Sequence, residues 1–332
     1  MADTSNPAQA RREPEHGNMN VSTPATPVSD DEAARLVHAA LRVEPLSINR
    51  QVFTQSGNAI FQAELADGRV VAVRVSPHSS TFAFTSHNLD ALRQLGLPVS
   101  TVLASGTRGA NGSFVILDWI PGRDLQFEFA QLNAAQATHI AGTVADWQRR
   151  VASLPKSNGF GWAPIGGHAA CARWTDLFGA PSTETPLDSA PRLEHLRHRL
   201  RLARRSFEPY FATLRPTCFL DDLTTRNVIV ERGVLRGLID VDFVCYGDPL
   251  MAVGTTLAHI AADVGEAGRF YGEELVRCSA ASTQEQRAIH FYSALWITAF
   301  LAAAEEAGLT QRADELAGIA DTVLNAAESG SL

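Results

Sequence analysis

Three polar side chains in one short stretch of the sequence could perform chemistry together. Asp222 and Asn227 are five residues apart, and Asp240 closes the apolar run 234–239. The stretch predicts two short strands joined by a turn, which carry these residues and bring a carboxylate, an amide and a second carboxylate to one place. The first can accept a proton from a hydroxyl, and the other two can hold Mg²⁺ against nucleotide phosphates. Each residue alone is more typical of a cap or turn, so the prediction depends on all three in order.

A second group of residues could contact phosphate. Ser56, Gly57 and Asn58 form a polar turn whose backbone N–H groups could hold phosphate oxygens, although hairpin turns of this kind are common. Arg74 lies in the otherwise apolar run 70–75, where a charge is costly unless it is paired. It therefore faces either solvent or an anion, and the nearby turn favours the anion.

The elements that must position these residues divide the chain into two regions. Alternating apolar residues and turn signals predict strands and one helix before Gly122, and helical spacing dominates after it. The predicted strands are 51–54, 59–65, 70–75 and 114–120, with a helix at 86–96. The predicted later helices are 133–153, 191–213, 249–263, 266–278, 283–307 and 310–327, with a β-hairpin at 218–240. The pattern predicts an α+β fold with a small antiparallel sheet lobe, 29–121, and a larger helical lobe, 122–328.

Composition narrows the class of protein. The chain has 332 residues, 45% of them hydrophobic, with a net charge of −8 and a pI near 5.7. Acidity disfavours nucleic acid as a partner. Residues 1–28 are polar and are predicted to be disordered, and Ser29 has the spacing of a helix cap with Glu32.

The apolar stretches and cysteines point to a cytoplasmic protein that does not bind membranes. The N-terminus lacks the apolar core of a signal peptide, and the apolar stretch 291–304 is short for a membrane span and reads as a buried helix. The four cysteines have neither metal-ligand spacing nor the pattern of a disulfide framework.

Two charged stretches remain open to interpretation. Acidic residues predominate from 261 to 332, which weakly favours a cationic acceptor, although solvated helix faces are the commoner explanation. A basic run, 197–205, could bind an anion or RNA, but a solvated amphipathic helix is more typical. The sequence does not indicate an oligomeric state.

The motifs resemble those of the aminoglycoside phosphotransferase and choline kinase-like family, relatives of the protein kinases. That family's catalytic loop typically reads His-Gly-Asp, four residues, then Asn, and here the corresponding stretch is 220–227. Its metal motif, Ile-Asp followed by Gly-Asp-Pro, stands here as Ile239-Asp240 and 247–249. Residues 115–122 are similar to the hinge that holds the adenine ring, and the resemblance extends over about residues 40–325.

The resemblance implies a bilobal protein kinase-like fold that transfers phosphate from ATP, with Mg²⁺, to a hydroxyl of a small molecule. The acceptor could be an aminoglycoside-like antibiotic, a sugar or an amino alcohol. The implied roles are Asp222 as catalytic base, Asn227 and Asp240 as metal ligands, and Arg74 on the α- and β-phosphates. Further nucleotide contacts are implied at Ser56, Gly57, Asn58, Asp118 and Ile120.

The chain departs from the family pattern at three positions. Leu220 stands where a bracing His is usual, Asp221 where Gly is usual, and Asn88 where a helical Glu would pair with Arg74. Another group must therefore brace the loop. These departures motivate an alternative hypothesis: a catalytically weak nucleotide-binding pseudokinase that regulates a partner.

Overall fold

The N-terminal lobe of the computed structural model is an antiparallel sheet between two helices. The structure describes residues 28–51, 58–109, 112–178, 191–241 and 243–329. The sheet has five strands in the order β1-β2-β3-β5-β4. Its strands are β1 Pro45–Arg50, β2 Ala59–Leu65, β3 Val70–Ser76, β4 Val102–Arg108 and β5 Gly112–Asp118, and its helices are α1 Asp30–Leu41 and α2 Thr85–Gln94.

Strand alternation decides which side chains of β3 face the C-terminal lobe. Val71, Val73 and Val75 are fully buried in a cluster with α1, so Arg74 must lie on the opposite face. That opposite face belongs to the larger core, which includes the α2 leucines and continues into the C-terminal lobe. As predicted, α1 begins after Ser29, whose Oγ accepts a hydrogen bond from the Glu32 amide at 3.1 Å.

The C-terminal lobe is built mainly from helices. They are α3 Ala134–Val151, α4 Pro191–Phe211, α5 Leu250–His259, α6 Glu266–Ser279, α7 Thr283–Glu306 and α8 Thr310–Ser329. A π-helical turn, Ile260–Val264, extends α5. Helix α7 is long and apolar enough to cross a membrane, but 56% of its apolar window is buried inside the lobe. It lies in the core, as the sequence predicted for 291–304.

Two small sheets in the C-terminal lobe position the loops that contain Asp222, Asn227 and Asp240. One has the order β10-β9-β6 and the other β7-β11-β8. Their strands are β6 Arg123–Asp124, β7 Gly161–Ala163, β8 Thr217–Phe219, β9 Val228–Glu231, β10 Val234–Leu238 and β11 Val244–Gly247. The predicted hairpin is therefore β9–β10, whereas β8 pairs with β11.

The structure corrects one prediction about strands. Asp222, Asn227 and Asp240 lie in the loops that flank β9–β10 and not on the strands, because the polar run 221–226 forms turns. The strand predicted at 51–54 falls mostly outside the described residues, and β1 ends earlier, at Arg50. The predicted disordered tail also falls outside them, apart from Val28.

Candidate active site

Asp222 and Asn227 are joined within the loop between β8 and β9. Asn227 Nδ2 donates to Asp222 Oδ2 at 2.9 Å and to the Asp222 backbone oxygen at 2.8 Å. Because both N–H groups of this amide are used, Asn227 Oδ1 is left as an oxygen ligand for a cation. Asn227 is buried, so the rotamer that presents this oxygen is confined by packing.

Asp240 and Arg74 connect the two lobes beside this pair, because the Ile239 amide donates to the Asn227 backbone oxygen at 3.0 Å. Arg74 Nη2, from β3, donates to Asp240 Oδ1 at 2.8 Å. Asp240 follows β10 with a φ of 57°, in the left-handed region. The Arg74 side chain is only 11% exposed and that of Asp240 is 48% exposed. The guanidinium also lies over the Phe82 ring, 5.3 Å from its centroid.

The surroundings of Asp222 disfavour its negative charge. Burial, followed by the charges of Asp240 and Asp221, raises the pKa of Asp222 to about 8, against the lowering effect of Asn227. Asp222 is nevertheless exposed to solvent, so many protein atoms surround the carboxyl without covering it. A cation on Asp240 would remove one cause of the raised pKa and favour the ionised base.

The residues before Asp222 are held from two directions. Gln148 Nε2 of α3 donates to the Leu220 backbone oxygen at 2.6 Å, and the Leu220 amide donates to Gln148 Oε1 at 3.0 Å. Asp221 accepts a hydrogen bond from the Trp162 indole N–H of β7. The group expected to brace the loop in place of His is therefore Gln148. Because Asp221 is tied to β7 and Asp222 to Asn227, the geometry favours Asp222 as the base.

Asn88 is bonded to the C-terminal lobe. Its Oδ1 accepts a hydrogen bond from the Ile165 amide at 2.8 Å, while the neighbouring His87 Nε2 lies 2.8 Å from the Ile165 carbonyl oxygen. Asp90, the nearby acidic residue of α2, pairs with Arg93 at 2.7 Å. Asn88 thus uses its carbonyl oxygen to dock α2, and an acidic partner for Arg74 comes from Asp240.

The predicted nucleotide-binding residues are only partly described. Asn58 is buried at the start of β2, whereas Ser56 and Gly57 lie outside the described residues. The Asp118 carboxylate accepts from the Thr101 amide at 2.7 Å, and its backbone oxygen accepts from Ser100 at 2.9 Å. The Asp118 side chain therefore holds the start of β4 against β5, and the second lone pair of the Asp118 backbone oxygen remains available to a base.

The second hinge position has a free backbone amide. In the described part of the chain no hydrogen bond engages the Ile120 N–H. The Ile120 side chain packs beside Gly237 of β10, where an added Cβ would lie 2.7 Å from Ile120 Cδ1. A donor at Ile120 and an acceptor at Asp118 together fit the edge of a purine ring.

The oxygen donors beside Asp222 suit a Mg²⁺ ion that is also bound by phosphates and water. They are too few for a site in which the protein supplies every ligand. Among the described residues no cluster of three or more His, Cys, Asp or Glu side chains could hold a metal ion. Asn227 Oδ1 and the half-exposed Asp240 carboxylate offer few ligands, as expected where phosphates and water complete the coordination of Mg²⁺.

Asp248, in the Gly-Asp-Pro motif, has a structural role. It is 2% exposed and accepts hydrogen bonds from Tyr210 at 2.8 Å, Tyr292 at 2.7 Å and the Leu250 amide at 3.0 Å. It thereby fixes the start of α5 to α4 and α7.

The charged stretches of the sequence partly neutralise each other. Arg199 of α4 donates to Asp321 at 2.6 Å and to Glu328 at 2.9 Å, both on α8. Arg192 likewise bonds Glu305 and Asp314. Some of the acidic residues after 261 therefore form ion pairs between helices. They give correspondingly less support to a cationic acceptor.

Sequence reasoning missed two residues that support the site, Gln148 and Phe82, because neither side chain belongs to a motif. Trp162 lies in the segment 159–162, which resembles one common in the family, but its bond to Asp221 was not predicted. One feature of the sequence pointed indirectly to such a supporting residue. Leu220 replaces the usual His, so another side chain had to brace the loop.

Comparison with known proteins agrees with this geometry. The sequence matches the model of the phosphotransferase enzyme family over residues 51–311. No curated protein sequence gives a significant match. Among solved structures, the apo form of a thermostable mutant of aminoglycoside phosphotransferase APH(4)-Ia has a TM-score of 0.68 at 16% identity, covering 90% of this chain and 100% of that chain.

Two further structures are similar. The GDP complex of an aminoglycoside 2'-phosphotransferase-IIIa mutant has a TM-score of 0.64 at 15% identity, covering 91% of this chain and 100% of that chain. A protein described as a fructosamine-3-kinase from Thermobifida fusca has a TM-score of 0.53 at 15% identity, with coverages of 85% and 97%. These likenesses confirm the predicted bilobal kinase-like fold.

Proposed function

Because the chain belongs to the phosphotransferase enzyme family, we propose that it transfers the γ-phosphate of ATP to a hydroxyl of a small molecule, with Mg²⁺. Family membership establishes a phosphotransferase acting on small-molecule hydroxyls; the nucleotide, the ion and the residue roles are what we add. The observation that carries the proposal is the meeting of Asp222, Asn227 and Asp240 with Arg74 of the opposite lobe.

The mechanism assigns one task to each side chain. Asp222 orients the acceptor hydroxyl and takes its proton as the phosphoryl group is transferred. Asn227 Oδ1 and the Asp240 carboxylate would hold Mg²⁺, which would neutralise charge on the phosphates. Arg74 would contact the α- and β-phosphates, and its bond to Asp240, a proposed metal ligand, supports this role. Positioning and charge neutralisation therefore supply most of the rate.

The nucleotide and the acceptor class have support from similar proteins. An APH(4)-Ia mutant was crystallised with AMP-PNP and hygromycin B, and it has a TM-score of 0.67 with this chain at 16% identity. Another neighbour was crystallised with GDP and kanamycin. We propose ATP as donor and an aminoglycoside-like antibiotic, sugar or amino alcohol as acceptor.

Substitution of Asp222 tests the proposal. Asp222→Asn keeps the shape of the side chain but cannot accept the proton, so turnover should fall by about 10²–10⁴-fold while Mg-AMP-PNP binding persists. ADP release with a panel of hydroxyl acceptors measures turnover, and calorimetry measures binding. The matched control is Asp221→Asn, which should retain most of the activity.

Two results would contradict the proposal in different ways. An inactive Asp221→Asn beside an active Asp222→Asn would show that the assignment of the base is wrong. Wild-type protein that binds Mg-AMP-PNP but transfers phosphate to no acceptor in the panel would instead favour the nucleotide-binding pseudokinase.

A further inference from the structure

The peptide groups of Leu220 are bonded by one side chain from a distant helix. Gln148 donates to the Leu220 oxygen and accepts from the Leu220 amide, at 2.6 and 3.0 Å. Leu220 directly follows β8 and is 2% exposed. The glutamine amide therefore bonds both the backbone N–H and the backbone oxygen of one buried residue, as the backbone of a paired β-strand would.

The rest of the loop is fixed at separate points. The Leu223 oxygen accepts from Thr256 of α5 at 3.2 Å, and the Thr225 oxygen accepts from the Gln126 amide at 3.1 Å. The Gln148 contact is the one made to the backbone immediately before the two aspartates. Loss of this contact would loosen the backbone at the start of the loop, where the Asp221 bond to Trp162 would remain, while the end of the loop stayed held.

We infer that Gln148 is a positioning residue for the Asp222 base. This inference rests on the proposed phosphotransfer function and extends it to a residue outside the motifs. Gln148 contacts Leu220, two residues before Asp222, and so acts through the loop backbone. Because an amide does not titrate, this brace holds the loop equally well across the working pH range.

The test compares two substitutions on the same helix. Gln148→Met keeps the length of the side chain but removes both hydrogen bonds. Gln136→Met is the matched control, since Gln136 belongs to the capping box at the start of α3. Both should perturb α3, but only the first should disturb the loop that carries Asp222.

The first readout is kinetic, and the probes are Mg-ATP with kanamycin, hygromycin B or water as acceptor. Gln148→Met should lower kcat by about 10- to 100-fold, because small misplacements of a catalytic group are costly. The KM for ATP should change by less than about threefold. An unchanged kcat in folded Gln148→Met, with an active wild type and an inactive Asp222→Asn, would overturn the inference but leave the proposed function standing.

The second readout does not require activity. Amide hydrogen exchange within 219–223 should become at least about tenfold faster in Gln148→Met and stay unchanged in Gln136→Met. Unchanged protection in Gln148→Met would overturn the inference even if the acceptor differed from all the probes. Wild-type protein without Mg-ATP binding would contradict the proposed function, and with it the catalytic purpose of the brace.

Discussion

Arg74 makes two unlike contacts that suit an arginine better than a lysine. Its Nη2 donates to Asp240, and its guanidinium plane lies over Phe82, which is 6% exposed. A lysine would keep the charge but lose the flat surface that stacks on a ring and the fixed direction of its donors. Phe82 therefore helps to orient the cation that we assign to the phosphates.

A double-mutant cycle tests this orientation. Arg74→Lys should weaken Mg-AMP-PNP binding about tenfold and Phe82→Leu a few-fold, with a coupling energy of about 0.5–1 kcal/mol between them. Calorimetry measures both effects, and Phe84→Leu is the control, because Phe84 is 44% exposed. If Phe82→Leu weakens binding equally with Lys or Arg at 74, the ring does not act through the guanidinium.

At the scale of elements, the junction between β11 and α5 depends on a buried carboxylate. Burial is the main cause that raises the pKa of Asp248 above its ordinary value, although the Tyr292 and Tyr210 hydrogen bonds lower it. Because its folded-state pKa exceeds its unfolded one, the folded protein binds this proton more tightly. The resulting stabilisation is present at low pH and is lost as the pH rises through the folded-state pKa.

Asp248→Asn removes this titration and provides a pH test. The free energy of unfolding of wild type minus that of Asp248→Asn should increase as the pH falls through the raised folded-state pKa towards 3.8, the ordinary pKa of aspartate. The slope cannot exceed about 1.4 kcal/mol per pH unit for one proton. Urea unfolding at several pH values measures the difference, and a difference that does not vary with pH would show that Asp248 keeps its ordinary pKa.

Local sequence patterns predicted the helices better than they predicted contacts between distant residues. The helices from α3 to α8 lie close to their predicted positions, because apolar spacing and caps such as Ser282 with Glu285 are local signals. Strand β4 was missed, since its small and polar residues lie at a half-exposed sheet edge. The partner of Leu220 is 72 residues away, so no local pattern could identify Gln148.

At the scale of the whole molecule, the lobes are joined through α2 as well as through the hinge. His87 and Asn88 contact the carbonyl and the amide of Ile165, and the adjacent Gly166 amide donates to Tyr246 at 2.8 Å. Together with the Arg74–Asp240 bond, these contacts restrict how far the cleft can open.

Removal of the Asn88 side chain should loosen this connection. Asn88→Ala leaves the buried Ile165 amide without its acceptor, which should cost about 1–3 kcal/mol in the free energy of unfolding. Hydrogen exchange should also become faster in α2 and in residues 163–167. Asp90→Ala is the control on the same helix, because its side chain is 59% exposed and should change little. Equal effects of the two substitutions would mean that α2 is held by its apolar face alone.

The backbone and the side chain of Asp240 have opposite effects on stability. A φ of 57° is easy for glycine but costs other residues roughly 1 kcal/mol, although aspartate tolerates it better than most. Glycine at 240 would relieve this strain but would remove the carboxylate that pairs with the buried Arg74 guanidinium, so even a library sorted only for heat resistance should retain the acid. Thermostabilisation campaigns on this chain should accordingly hold position 240 constant.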